Sequence, residues 1–164
     1  MTPDDVPVFR QARILLVLQC AGEPLDVEHL GVYDFLAAHP LLLARAGDDP
    51  DRTALRLAGF DDRAVAYASP AQRYVTAQLH LAGDLAALIG RGLVRATATG
   101  RVTYQLTQEG ADMAARFTAM YAQRYRTAAR VVVRRLRRLS TRRLREGLRQ
   151  WLHPAPSSAL KDLT

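Results

Sequence analysis

Gly92-Leu93-Val94-Arg95-Ala96-Thr97 and Arg101-Val102-Thr103-Tyr104-Gln105-Leu106 are two runs rich in β-branched and aromatic residues, and only Ala98-Thr99-Gly100 separates them. Two such runs joined by a short glycine-containing linker predict a β-hairpin. An isolated two-stranded hairpin is marginal in water. This one must therefore be covered by whatever the rest of the chain forms, and the rest carries helical signals.

A first helix is predicted from about Val6 to Ala21, with Phe9, Ile14, Leu15, Val17 and Leu18 as apolar positions and Gly22 as its stop. The Pro24-Leu25-Asp26 turn leads to a second, with Asp26 as cap and Glu28 at the positive end of the helix dipole. It carries Leu30, Tyr33 (or Val32), Leu36 and Ala37 on one flank and ends at His39-Pro40, because the residue before proline avoids the helical region. Residues 47–53 predict a polar loop, and a short ambiguous stretch follows to Ser69-Pro70. There a third helix starts, capped by Ser69, running to about Arg91 with a possible kink at Gly83. Thr107 caps another after the hairpin. No Pro or Gly interrupts Ala111 to Leu139, which predicts one long helix, and Ser140 or Thr141 opens a final one to Leu152.

Helix, helix, helix, hairpin, helix is the order of a winged-helix domain. The fold class expected is therefore mainly α: a winged-helix domain with a small hairpin wing, then a long C-terminal helix and a short final one. The organisation predicted is a winged-helix-like domain over residues 1–110 with an insertion at about 40–69, arginine-rich helices over 111–152, and a flexible tail over 153–164. Gly92-Leu93-Val94, Tyr104-Gln105-Leu106-Thr107 and Glu109-Gly110 fall where common bacterial winged helices place similar residues. Such folds serve DNA binding and protein docking alike.

Charge is unevenly distributed along the 164 residues. Residues 1–69 hold six Arg against eleven Asp and Glu, a net of −5, while residues 70–164 hold sixteen Arg and one Lys against five acids, a net of +12. Residues 116–149 alone contain twelve Arg and one Glu. Arg126, Arg130, Arg134 and Arg137 recur about one turn apart, a spacing that lines cations along a phosphate backbone and gains from counterion release. Arg138, Arg142 and Arg143 extend that set, and Arg95 and Arg101 flank the hairpin turn where a wing touches DNA. A solvated face, or one docking an acidic protein surface, is the competing explanation. Met113, Phe117, Tyr121, Ala128, Val132 and Leu139 form an apolar stripe on the opposite side. Arg124 and Arg135 fall near its middle, where burial would demand paired acids, so contact with another chain is expected there. The third helix offers only Arg73 and Gln78 for reading bases, which weakens sequence-specific binding.

Little favours catalysis. His29, His39, His80 and His153 show no i, i+4 pairing for a metal, the acids Asp48, Asp49, Asp51, Asp61 and Asp62 lack the spacing of a calcium loop, and no phosphate-binding glycine loop or nucleophile motif occurs. Cys20 is the single cysteine, so no internal disulfide is possible, and a cytoplasmic, non-enzymatic, cofactor-free protein is expected. The acidic N-terminus lacks the basic leader of a signal peptide, and the longest apolar run, Ile14–Leu18, is too short to span a bilayer.

Four segments together resemble the middle components of bacterial three-component systems built around an ABC ATPase, with Lamassu-type systems as relatives. They are Arg13–Leu18 with Glu23–Leu30, the Tyr33-Asp34-Phe35 box, Leu88–Val94, and Ala115-Arg116-Phe117 through Tyr121 and Tyr125 to Ser140. The likeness covers most of residues 6–152; the Asp-rich loop and the heavy arginine loading depart from it. It implies a winged-helix adaptor bridging an SMC-type ABC ATPase and an effector, commonly a nuclease, in anti-phage or anti-plasmid defence; the basic helices add weak, backbone-directed DNA contact. Arg124, Arg135, Tyr33, Phe35 and Trp151 are the expected partner contacts. A stand-alone winged-helix regulator is the alternative.

Overall fold

A computed structural model describes residues 5–61 and 69–153. Among these it is mainly helical, with a small two-stranded antiparallel hairpin. Helix α1 (Pro7–Ala21) opens on a proline, whose missing amide costs nothing in the first turn, and closes at Gly22 in the left-handed region. Leu25 then exchanges both backbone hydrogen bonds with Tyr104, at 3.0 and 2.8 Å, stitching the α1–α2 connection to the hairpin as a one-residue third strand. Helix α2 (Val27–Ala38) is capped by Asp26, whose carboxylate accepts from the His29 amide at 2.8 Å. Beyond the α2 end a buried 3₁₀ turn spans Pro40–Leu42, and Leu43 is buried after it.

The polar stretch 47–53 does not remain a loop. Asp49 caps a helix by accepting from the Asp51 amide, and α3 runs from Pro50 to Leu57, burying Leu55 completely. The turn residues there act as helix-start signals, a proline preceded by an aspartate. Helix α4 (Pro70–Gly90), capped by Ser69, passes through Gly83 without a break. Strands β1 (Val94–Thr99) and β2 (Arg101–Leu106) pair from Val94↔Leu106 to Thr99↔Arg101 around Gly100, whose φ of 81° suits the turn. Thr107 caps α5 (Gln108–Ala115) and donates its hydroxyl to the Gly92 carbonyl at 2.6 Å. Gly110 is required by close approach, since a Cβ there would sit 1.9 Å from the Leu93 carbonyl oxygen.

The single long helix expected from Ala111 to Leu139 is instead two. Helix α5 stops at Ala115, and α6 (Met120–Leu136) starts after a four-residue break without Pro or Gly. A tertiary contact braces the break. The Arg126 guanidinium reaches back from α6 to the Ala114 carbonyl in the last turn of α5, which also accepts from the Phe117 amide, and to the Phe117 carbonyl in the connection. A cation at a helix C-terminus is favoured by the helix dipole. Helix α7 (Thr141–Leu152) follows, capped by Ser140.

The break lets α6 lie across α1 and α2. Residues 13–18 of α1 are all buried, as befits a helix surrounded by α2, α4, α5 and α6. One hydrophobic cluster runs from Ile14 through Leu88 and Val132 to Leu152, so residues 111–152 share the core of residues 1–110. The predicted tail lies almost wholly outside the described residues, as does much of the ambiguous stretch before Ser69.

Two largely buried ion-pair networks tie this core together. Arg13, 4% exposed, donates twice to Asp34 at 3.1 and 3.0 Å, and the Tyr125 hydroxyl of α6 donates to the same carboxylate at 2.6 Å. Burial, then the Asp34 charge, pushes the Tyr125 phenol far above its ordinary value, so it stays a proton donor. Arg10 holds Asp84 of α4 in the same manner at 2.8 and 3.2 Å.

Candidate nucleic-acid interface

The outer side of α6 is built by exclusion. Ala122, Tyr125, Arg126, Ala128, Ala129, Val131, Val132, Val133 and Leu136 turn inward, leaving Arg130, Arg134, Arg137 and Arg138 in solvent at or just beyond the helix end. These four, with Val133 and half-buried Cys20 of α1, line one open depression. Burial raises the Cys20 thiol pKa, and the charges of Arg130 and Arg126 pull it the other way. The depression is a concave surface of positive potential with a low-dielectric floor, the arrangement that concentrates a polyanion.

Arg126 does not belong to this surface, although its spacing predicted it. It is 7% exposed, and its guanidinium also donates to Gln19 at 3.1 Å, so its donors are spent on the fold. The error is one of angle: the apolar face of α6 is broader than a stripe, and position 126 falls inside it. Arg134 and Arg135 are held by the α3 cap, Arg134 by Asp51 and Arg135 by Asp49 at 2.8 Å and Asp51 at 3.2 Å. Arg137 donates to the Ala21 carbonyl at 2.7 Å, closing α1, and faces Glu23 at 3.9 Å.

On α7, Arg145 grips Glu28 with two hydrogen bonds, and Arg142 pairs with Glu146 one turn on at 3.2 Å. Arg143 and Arg149 are exposed. Of the twelve arginines in residues 116–149, five (Arg116, Arg130, Arg138, Arg143 and Arg149) make no side-chain hydrogen bond, ion pair or ring contact within the described residues. The charge split in the sequence is thus partly an internal one. Acids of the first half neutralise arginines of the second, and an unneutralised remainder faces outward.

At the hairpin, Arg95 is exposed beside Gln105 in the register. Arg101 folds back onto Asp26 at 2.7 Å, which ties the wing to the α2 cap. Burial alone would raise the Asp26 carboxyl, but hydrogen bonds from the His29 amide and ring and from Arg101 hold it below its ordinary value.

The expected partner contacts divide. Tyr33 and Phe35 are 2% and 3% exposed, so they are core residues and not docking groups: Tyr33 packs edge-on to His29 and Phe35 edge-on to Tyr74. Arg124 is exposed and stacks over Phe60, its guanidinium carbon 4.2 Å from the ring centroid. Arg135 finds the acids its position demanded, but inside this chain. Trp151 is half-buried and lies over Gly147 of its own helix. The charged networks at Arg10, Arg13, Asp34 and Asp84 escaped sequence reasoning. The available signal was a charge set among apolar neighbours within a helix, seen at Arg13 and at Asp84.

Comparison with protein families, curated proteins and solved structures finds no match. Among the described residues no group of three or more His, Cys, Asp or Glu is placed to hold a metal, and no helix is long and apolar enough to cross a membrane.

Proposed function

We propose that this chain is a non-catalytic accessory subunit of winged-helix type that contacts nucleic-acid backbone through the outer faces of α6 and α7. The observation that carries this reading is the set of exposed arginines on and beside α6 and α7 (Arg130, Arg138, Arg143 and Arg149) that have no side-chain partner among the described residues, together with the arginine-lined depression on α6. The winged-helix assignment is supported by element order and by the Leu25–Tyr104 bridge, which supplies the short strand between first and second helices. In that scheme α4 occupies the position of the recognition helix. Its fully exposed positions carry no arginine and offer Gln72, Thr76 and His80 as polar groups, with Arg73 and Gln78 only part-exposed, so base readout, which the rival regulator needs, has few of its usual donors. Backbone contact does not need them.

The resemblance to middle components of ABC-ATPase systems supplies the wider role: an adaptor between an SMC-type ABC ATPase and an effector, commonly a nuclease in such systems, acting in prokaryotic defence inside the cytoplasm. Affinity purification from the native host tests that role, with recovery of a Walker-type ATPase expected. The nucleic-acid reading is tested by fluorescence anisotropy of the full chain on duplexes of unrelated sequence at rising salt. Binding should be insensitive to sequence, with log K falling linearly in log salt. Replacing Arg130, Arg138, Arg143 and Arg149 by Gln should reduce the slope by roughly 0.9 for each phosphate that is no longer neutralised. Nanomolar affinity for one operator, or no binding at low salt, would overturn it.

A further inference from the structure

The outer face of α4 presents a different problem. Val75 is 59%, Leu79 76% and Ile89 40% exposed, and between them Ala82, Gly83, Ala86 and Gly90 are exposed as well. On a helical wheel these positions form one continuous face about four turns long. The only formal charge in residues 74–90 is Asp84, which points the opposite way into the Arg10 pair.

Gly83 sharpens the point. Glycine inside a helix is destabilising relative to alanine and usually answers a packing need. Gly31 and Gly110 have such needs within the chain, because a Cβ would strike Gln78 or the Leu93 carbonyl. Around Gly83 and Gly90 a Cβ would meet nothing within 4 Å among the described residues. No contact among the described residues therefore accounts for the small residues there.

We propose that this face is a self-association surface on which a second copy packs α4 against α4 in antiparallel fashion. The order of residue sizes selects that occupant. Bulky Val75 and Leu79 lie toward the N-terminal half and small Ala86 and Gly90 toward the C-terminal half, where the one bulky residue, Ile89, falls opposite the smaller Thr76. A two-fold axis between Ala82 and Gly83 sets Leu79 opposite Ala86 and Val75 opposite Gly90, each large residue against a small one, twice over. An isologous pair needs that self-complementarity, and small residues at the crossing let the backbones approach. Electrostatics agrees. The chain carries a formal net charge of +7, so most faces of two copies repel, whereas this one brings no charge to the contact. One helix pair falls short of the ~1,600 Å² of a standard interface, so a weak, concentration-dependent dimer follows. This inference does not depend on the nucleic-acid reading.

Sedimentation equilibrium of the full chain at high salt, where contaminating nucleic acid is released, is the test. A monomer–dimer equilibrium is expected. Leu79→Glu and Ala86→Lys should each weaken it at least about tenfold, because each buries an unpaired charge. Mixed in equal amounts, the two variants should associate more tightly than either alone, since the antiparallel register pairs Glu at 79 with Lys at 86. Circular dichroism checks that both remain folded, as both sites are exposed. A wild-type monomer at every concentration, a dimer indifferent to both variants, or a mixture without rescue would each overturn the proposal.

Discussion

Helices α4 and α6 are anchored alike and finished differently. Each is tied to α1 by a guanidinium–carboxylate network, α4 through Asp84 to Arg10 and α6 through Tyr125 to the Asp34–Arg13 pair. Outward, residues 75–90 of α4 show mostly aliphatic and small residues with no acid or arginine, while α6 shows arginines. The same core therefore presents two surfaces of opposite character. That stretch of α4 gives a polyanion no arginine to hold, and an apolar partner is disfavoured on α6 by the cost of desolvating its cations.

The largest effects should come from breaking the shared anchors. Asp34→Ala leaves Arg13 buried without its carboxylate and Tyr125 without its acceptor, and removing one partner of a buried pair costs about 3–5 kcal/mol. Asp84→Ala should act similarly on α4, reduced by the share of Arg10 that stays near solvent. Urea unfolding measures both; losses below about 1 kcal/mol would mean that the networks are ornaments of an apolar core.

Next in size is the distinction between two arginines one turn apart on α6. Arg126→Met should destabilise by about 2–3 kcal/mol, since charged hydrogen bonds to the Ala114 and Phe117 carbonyls disappear and the oxygens stay covered. Arg130→Met should change stability by less than about 0.5 kcal/mol, as an exposed substitution does. On nucleic acid the order reverses: Arg130→Met lowers the salt slope, and Arg126→Met, measured where it is still folded, leaves it unchanged. Equal behaviour of the two variants in both assays would remove the separation between structural and surface arginines.

Legibility in the sequence followed how local each signal was. Caps at Asp26, Ser69, Thr107 and Ser140, the Gly22 stop and the hairpin are decided by neighbours in the chain, and all stand where local chemistry places them. The α5–α6 break was not legible, because the guanidinium that braces it lies 12 residues beyond Ala114 and 9 beyond Phe117, whose carbonyls it binds. Tyr33 and Phe35 look like recognition groups by residue type alone, yet α2 lies between α1, α4 and α6 and hides both. Arg135 was placed correctly as a cation in need of acids. That those acids sit on α3 and its cap in the same chain needed the fold, since 84 to 86 residues separate them.

The smallest predicted effect is a pH dependence carried by lowered carboxyls at the α2 cap and on the α6–α7 side. Arg145 lowers the Glu28 carboxyl below its ordinary value, and Arg135 does the same for Asp49. A carboxyl lowered in the folded state contributes stability above its unfolded pKa, about 3.9 for Asp and 4.3 for Glu, and that contribution fades as pH falls through the folded value. Both pairs are exposed, so salt screens them and the net effect is small. Acidification should therefore loosen the α7 contact with α2 and the α3 contact with α6 before it touches α4, whose outer face has no carboxylate to protonate. Amide exchange followed from pH 5 down to about pH 3 checks this order, with Glu28→Gln expected to remove the pH response at the start of α7 and leave that of α3 intact. If α4 and α7 lose protection together, the acid response belongs to the buried anchors instead, and the two helices differ less than their surfaces suggest.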